Sequence, residues 1–166
     1  MNSEITIKAI QDLLIKGQKL QYVDDETSRR MWWAALEVVQ KEFLSKYYHD
    51  GGMWVASPLP ALNEKKFFSK LQGWLWAPKG FPYFEKGNAG LLPGDFPKII
   101  KEDFDVSKNY KVLNLSPKDG YEPFLLIITP NFQCLLTILG DKDKKILLMR
   151  CDEDSLKIAI ELMHLK

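Results

Sequence analysis

The chain has 166 residues, 46% hydrophobic and 27% charged, which is enough to bury a conventional core and excludes global disorder. Its 23 basic and 22 acidic side chains leave a net charge of +1, a balance that argues against a protein built to bind a polyanion. The unusual term is aromatic: 12% Phe, Trp and Tyr, with five tryptophans.

Residues 1–50 read as helical. Ile7, Ile10, Leu13 and Leu14 recur at helical spacing, and Gly17 is a natural stop. Trp32, Leu36, Val39, Phe43 and Tyr47 then fall on one face of a helix from about Asp25 to Tyr48. Asp24, Asp25 and Glu26 suit the positive end of its dipole, and Gly51-Gly52 favours chain reversal at the other. Adjacent Trp32 and Trp33 point about 100° apart on a helix, so at least one leaves a narrow stripe. Periodicity leaves this face as core or as a dimer seam; the paired tryptophans favour a partner or homodimer surface made of Trp32, Trp33, Leu36, Val39 and Phe43.

Residues 53–104 carry six of the nine prolines and ten of the twenty aromatics. Prolines at that density forbid long helices, except a short one from Glu64 to about Leu71. So many aromatics are unsuited to a linker, and the zone is expected to be an ordered loop region wrapped on the rest. Apolar clefts with a few polar groups are the usual ligand geometry, which makes Trp54, Trp74, Trp76, Phe81 and Tyr83 the candidate lining of a small-molecule pocket, with core packing the favoured reading for any one of them singly.

Residues 110–166 read as a β-meander followed by a helix. Lys111–Leu115 alternates weakly, and Ser116-Pro117-Lys118-Asp119-Gly120 is a turn. Phe124–Thr129, Phe132–Leu139 and Lys145–Arg150 are strands whose short connections permit only antiparallel neighbours. Asp152-Glu153-Asp154-Ser155 caps a last helix that presents Leu156, Ala159, Ile160 and Met163. The strands are almost continuously apolar, so both sheet faces should be covered, one by this helix and the other by the N-terminal helices or the aromatic zone. The expected fold is a single α+β domain over residues 1–166: an antiparallel β-meander flanked by N-terminal helices and a C-terminal helix.

Catalytic signals are sparse. His49 lies at a helix end and His164 near the chain end, neither with metal-ligand spacing. Cys151, at the start of the last helix, could in principle be an activated thiol, but no partner histidine is evident. Cys134 and Cys151 lack a CxxC pattern; a disulfide requires their strands to lie side by side, and free thiols in a reducing cytosol are the expectation. Glu64-Lys65-Lys66 matches a nuclease-like ExK triplet but opens a helix. No phosphate-binding glycine loop occurs. Lys65, Lys66, Lys70, Lys79 and Lys86 interleave with aromatics, a pattern that can stack single-stranded nucleic acid, yet the charge balance disfavours that use. No signal peptide or membrane span is read, so a cytoplasmic protein without metal or cofactor is expected.

The stretch PFLLIITPNFQCLLTILG, followed by KKILLMRCDEDSLKIAIELM, resembles the C-terminal part of DICT-type sensory domains of bacterial signalling proteins, which are related to GAF-like sensors. The matching elements are Phe124–Thr129, Phe132, Cys134–Leu139, Ile146–Met149 and Leu156–Met163, about 45 residues in all. The resemblance implies an input or regulatory module that binds a small ligand or a signalling partner without catalysis, and transfers no functional residue. A small adaptor or assembly factor that binds one protein through an aromatic surface is the alternative; a motif-less enzyme or a single-stranded nucleic-acid binder comes third.

Overall fold

The computed structural model describes residues 6–58, 61–62, 64–79 and 110–163. Helix α1 (Thr6–Ile15) turns Ile7, Ile10, Gln11 and Leu14 inward, and Gly17 follows at φ +74°. Helix α2 (Asp25–Val38) starts where Asp24 accepts a 2.7 Å hydrogen bond from the Thr27 N–H. That cap satisfies a free amide of the first turn, beside Asp25 and Glu26 at the positive end of the dipole. The helix then widens into a π-helical stretch, Val39–Leu44, before α3 (Ser45–Tyr47) and a 3-10 turn, Tyr48–Asp50. Gly51, at φ +78°, ends it in a conformation other residues rarely adopt.

Strands β1 (Met53–Ser57) and β2 (Gln72–Ala77) flank the short helix α4 (Lys65–Lys70). Beyond them come β3 (Lys111–Asn114), a 3-10 turn (Pro117–Asp119), β4 (Phe124–Ile128), β5 (Gln133–Asp141), β6 (Lys144–Arg150) and helix α5 (Glu153–Leu162). Helix α5 begins where Asp152 accepts from the Ser155 N–H at 2.9 Å. The six strands form one sheet in the order β3-β2-β1-β4-β5-β6.

The α+β class and the flanking helices match expectation, and the β4-β5-β6 meander lies where the sequence places it. The sheet as a whole is not a pure meander. β1 pairs with β2 and β2 with β3 in parallel, while β1 joins β4 antiparallel. The physical reason lies in where the prolines fall. Pro58 and Pro78 directly follow β1 and β2, so neither interrupts a ladder, and both tryptophan-bearing strands are free to pair. The part of the expected wrapped loop over 80–104 lies outside the described residues. β3, next to the Ser116–Gly120 turn, does not pair with β4; it crosses to the far edge of the sheet.

Both faces of the sheet are buried, and the two N-terminal helices divide between them. On one face Trp54, Ala56, Leu75, Leu125, Ile127, Cys134, Leu136 and Ile138 pack against Trp32, Leu36, Val39 and Leu44 of the long helical segment, and against Phe67 of α4. On the other face Val55, Trp76, Leu126, Leu135 and Leu148 pack against Ile7, Ile10 and Leu14 of α1 and Leu156, Ala159 and Met163 of α5. By area, each buried tryptophan contributes at most about 4–6 kcal/mol. The polar Thr137 inside this layer is satisfied: it accepts from the Gln11 side-chain amide at 2.8 Å and donates to the Pro123 carbonyl at 3.0 Å.

Candidate functional site

Of the five residues expected to line a ligand pocket, the three described tryptophans do not share one face of the sheet. Strand geometry alternates side chains between faces, so Trp74 and Trp76 share one face of β2 while Trp54 on β1 occupies the other. Trp54 and Trp76 are fully buried, Trp74 is half-buried, and Phe81 and Tyr83 lie outside the described residues. The Trp54 indole lies over Gly73, its register partner on β2: a Cβ there would come within 2.4 Å of the ring. Tyr110 meets the same indole edge-on, with ring centroids 5.2 Å apart. Trp54 is a packing residue in this arrangement, and no single cleft takes it together with Trp74 and Trp76.

The expected partner surface also resolves into two parts. Trp32, Leu36 and Val39 are buried in the chain's own core, and Trp33 is half-buried against it. Those positions are the inner face of the helix, not a dimer seam. Phe43 is the exception, 39% exposed. The π-helical stretch explains the split. In a continued α-helix the position four after Val39 would keep facing the sheet; the wider π turn gives that place to Leu44, fully buried, and rotates Phe43 outward.

Outside, Phe43 finds a partner from another element. Its ring stacks on Phe132 with centroids 5.1 Å apart and planes 8° from parallel, and Tyr47 lies against the same Phe132 at 6.3 Å and 17°. Phe132 and Tyr47 are half-buried. The β4–β5 hairpin fixes Phe132 in place: the Thr129 N–H donates to the Phe132 carbonyl at 2.7 Å, and the Phe132 N–H donates to Thr129 Oγ1 at 2.9 Å. Asn131 in the same turn donates to Asp50 Oδ2 at 2.9 Å, tying the hairpin to the end of the helical segment. The result is a preorganised aromatic stack, two rings from the helix and one from the hairpin, with an apolar face open to solvent.

Beside it Tyr48 packs edge-on to Phe67 at 5.4 Å, and the Lys66 ammonium sits 5.1 Å from the Phe67 ring centre while paired with Glu64 at 2.8 Å. The Glu64-Lys65-Lys66 triplet thus opens α4, with Glu64 as its extended N-cap, and does not lie on a strand. His49 is exposed next to the Tyr48 ring. Among the described residues no cluster of three His, Cys, Asp or Glu side chains could hold a metal, and no helix is long and apolar enough to cross a membrane.

A protein family described as a domain of unknown function, DUF8628, matches residues 8–166. The chain belongs to the DUF8628 family. No curated protein and no solved structure matches it. The match spans both faces of the DUF8628 sheet and the whole aromatic stack, so the stack sits inside the family's domain and not on an appendage.

The sequence places Phe43 and Tyr47 on one helix face but sets them beside buried residues, and it gives no sign that Phe132 joins them. Phe132 carried a readable signal, an aromatic at the mouth of a two-strand turn with no apolar neighbour before it. The π insertion carried none, because both Val39 and Gln40 turn inward and no glycine or proline marks the change of pitch.

Proposed function

We propose that this domain acts by binding: it is a non-catalytic regulatory module that engages a protein partner through Phe43, Tyr47 and Phe132. The observation that carries this reading is the rigid, solvent-facing stack of Phe43 on Phe132. Aromatic side chains dominate the energetics of protein interfaces, and rings already held in place lose little conformational freedom on binding. The regulatory role follows the resemblance of the C-terminal third to bacterial sensory domains. A partner-binding input is preferred to a small-molecule one because Trp54 points to one face of the sheet and Trp76 to the other.

A photo-crosslinking residue at Lys46, exposed next to the stack, tests the proposal in cells of the source organism. The expected result is one crosslinked protein species that disappears in the Phe43→Ser/Phe132→Ser double variant while the variant stays folded by circular dichroism. An unchanged crosslinking pattern in that variant, or no crosslink in the wild type, would overturn it. Sedimentation of the purified chain states whether the captured species is a second copy.

A further inference from the structure

Cys134 lies on β5, and Cys151 follows directly on the last residue of β6, its neighbour in the sheet. The β5–β6 ladder pairs Leu135 with Arg150, and one further step along it sets Cys134 across from Cys151. The backbone hydrogen bonds define which kind of pair this is. The Ile138 N–H donates to the Pro123 carbonyl and the Thr129 N–H to the Phe132 carbonyl, so the even-numbered residues of β5 spend their backbone groups on β4. Toward β6 those positions are non-hydrogen-bonded, the class in which facing Cα atoms approach to about 4.5 Å. A disulfide spans Cα separations of about 4.4–6.8 Å. The Cys151 thiol is near enough to Cys134 to add to the effect of burial in raising its pKa. Both are free thiols, Cys134 buried and Cys151 exposed.

We propose that Cys134 and Cys151 are a modification site that closes to a reversible intramolecular disulfide when the protein meets hydrogen peroxide. Exposure sets the order of events. The Cys151 thiolate attacks a peroxide oxygen; the O–O bond breaks, Cys151 becomes a sulfenic acid, and the departing hydroxide takes up the thiol's proton as water. The Cys134 sulfur then attacks the sulfenic sulfur. The S–S bond forms, the S–O bond breaks, and the hydroxyl leaves with the Cys134 proton as a second water. Two thiols give up two electrons and two protons, and one peroxide becomes two waters. Burial, with Cys151 alongside, raises the Cys134 pKa, which keeps it a protonated thiol until its neighbour has been oxidised. A dithiol reductant reverses the bond by exchange at the exposed Cys151 sulfur. A transient bond of this kind is the form that cytosolic disulfides usually take.

The test uses the purified full chain, reduced and then exposed to stoichiometric hydrogen peroxide. Intact mass should fall by two hydrogens, peptide mapping should return a Cys134–Cys151 link, and the melting temperature should rise in a way dithiothreitol reverses. The Cys151→Ser variant should show neither the link nor the rise. Because Cys134 is buried, both Cys134→Ala and Cys134→Ser are made, and either folded variant should stop at sulfenic acid on Cys151 or at intermolecular dimers. Wild-type protein that accumulates sulfinic acid on Cys151, or dimers through it, while Cys134 remains fully alkylatable after unfolding, would overturn the proposal.

Discussion

The two halves of the sheet are made from opposite kinds of chain. β4, β5 and β6 follow one another directly, are rich in leucine and isoleucine, and pair through short turns. β1 and β2 carry three of the five tryptophans and are each followed directly by a proline, and β1, β2 and β3 pair in parallel, so each connection must run back the length of the sheet. The first half assembles from contacts close in sequence. The second forms only after long loops have been closed, at an entropic cost that local pairing does not carry. Its stability must therefore come from large side chains placed where backbones approach closely, and Trp54 over Gly73 is that place.

Cutting that contact should give the largest effect. Trp54→Ala removes a fully buried indole and should cost about 3–5 kcal/mol. Hydrogen exchange should show amide protection lost first in β2 and β3, with β5 and β6 protected longest. Uniform loss across all six strands would break the distinction between the halves. Gly73→Ala tests the same contact from the other side. Its Cβ would lie 2.4 Å from the Trp54 ring and 2.7 Å from the Tyr110 Cβ, so one of them must shift. Overpacking of this kind costs about 1–3 kcal/mol, read as a lower urea midpoint with an unchanged m-value. Gly73→Ala in the Trp54→Ala background should cost much less, since the ring it strikes is gone.

The same contrast explains what could be read from the residues alone. The meander was legible because apolar runs, Pro130-Asn131 and Gly140 are local signals that fix both element and partner. Helix α5 was legible from Asp152 and its periodic Leu156, Ala159 and Met163. The strands β1 and β2 were hidden in a proline-rich zone whose composition resembles loop; their prolines sit at strand ends, a distinction that composition does not record. Parallel pairing leaves no turn signature at all. At the candidate site, Phe43 was visible and its true neighbour was not, because Phe132 reaches it across the fold and the π turn that exposes Phe43 has no residue marker.

A smaller effect belongs to the legible half. Asp152→Ala removes the N-cap of α5 and should cost about 1 kcal/mol. Hydrogen bonds from the Ser155 side chain and backbone lower the Asp152 pKa. A lowered folded-state pKa means that the stabilisation is present above the unfolded carboxylate value and is lost as pH falls through the folded one. The difference in melting temperature between wild type and Asp152→Ala should therefore shrink in acid. A difference that stays constant from neutral pH into the acid range would show that the carboxylate charge has no part in the cap.

The smallest net change is expected where the two halves join. Asp119 lies in the turn that carries the chain from β3 at one edge to β4 in the middle, and it accepts a 3.2 Å hydrogen bond from the Lys8 N–H at the start of α1. It thereby supplies, from more than a hundred residues away, the cap that α1 takes from a distant element. Burial raises the Asp119 pKa, outweighing the backbone hydrogen bonds of Lys8 and Ile7, which lower it. The sign is opposite to that of Asp152: a raised folded-state pKa favours the protonated fold, so this contribution is full below the unfolded carboxylate value and declines as pH rises through the folded one. Asp119→Asn keeps an oxygen acceptor for Lys8 and discards the charge. Near neutral pH the variant should match or slightly exceed wild type in melting temperature, and the advantage should vanish in acid, where the wild-type carboxyl is neutral too. A variant destabilised equally at both pH values would mean that Asp119 holds the crossover through its geometry alone. The joint between the halves would then depend on a carboxyl fit that the amide does not reproduce, with burial of charge playing no part in it.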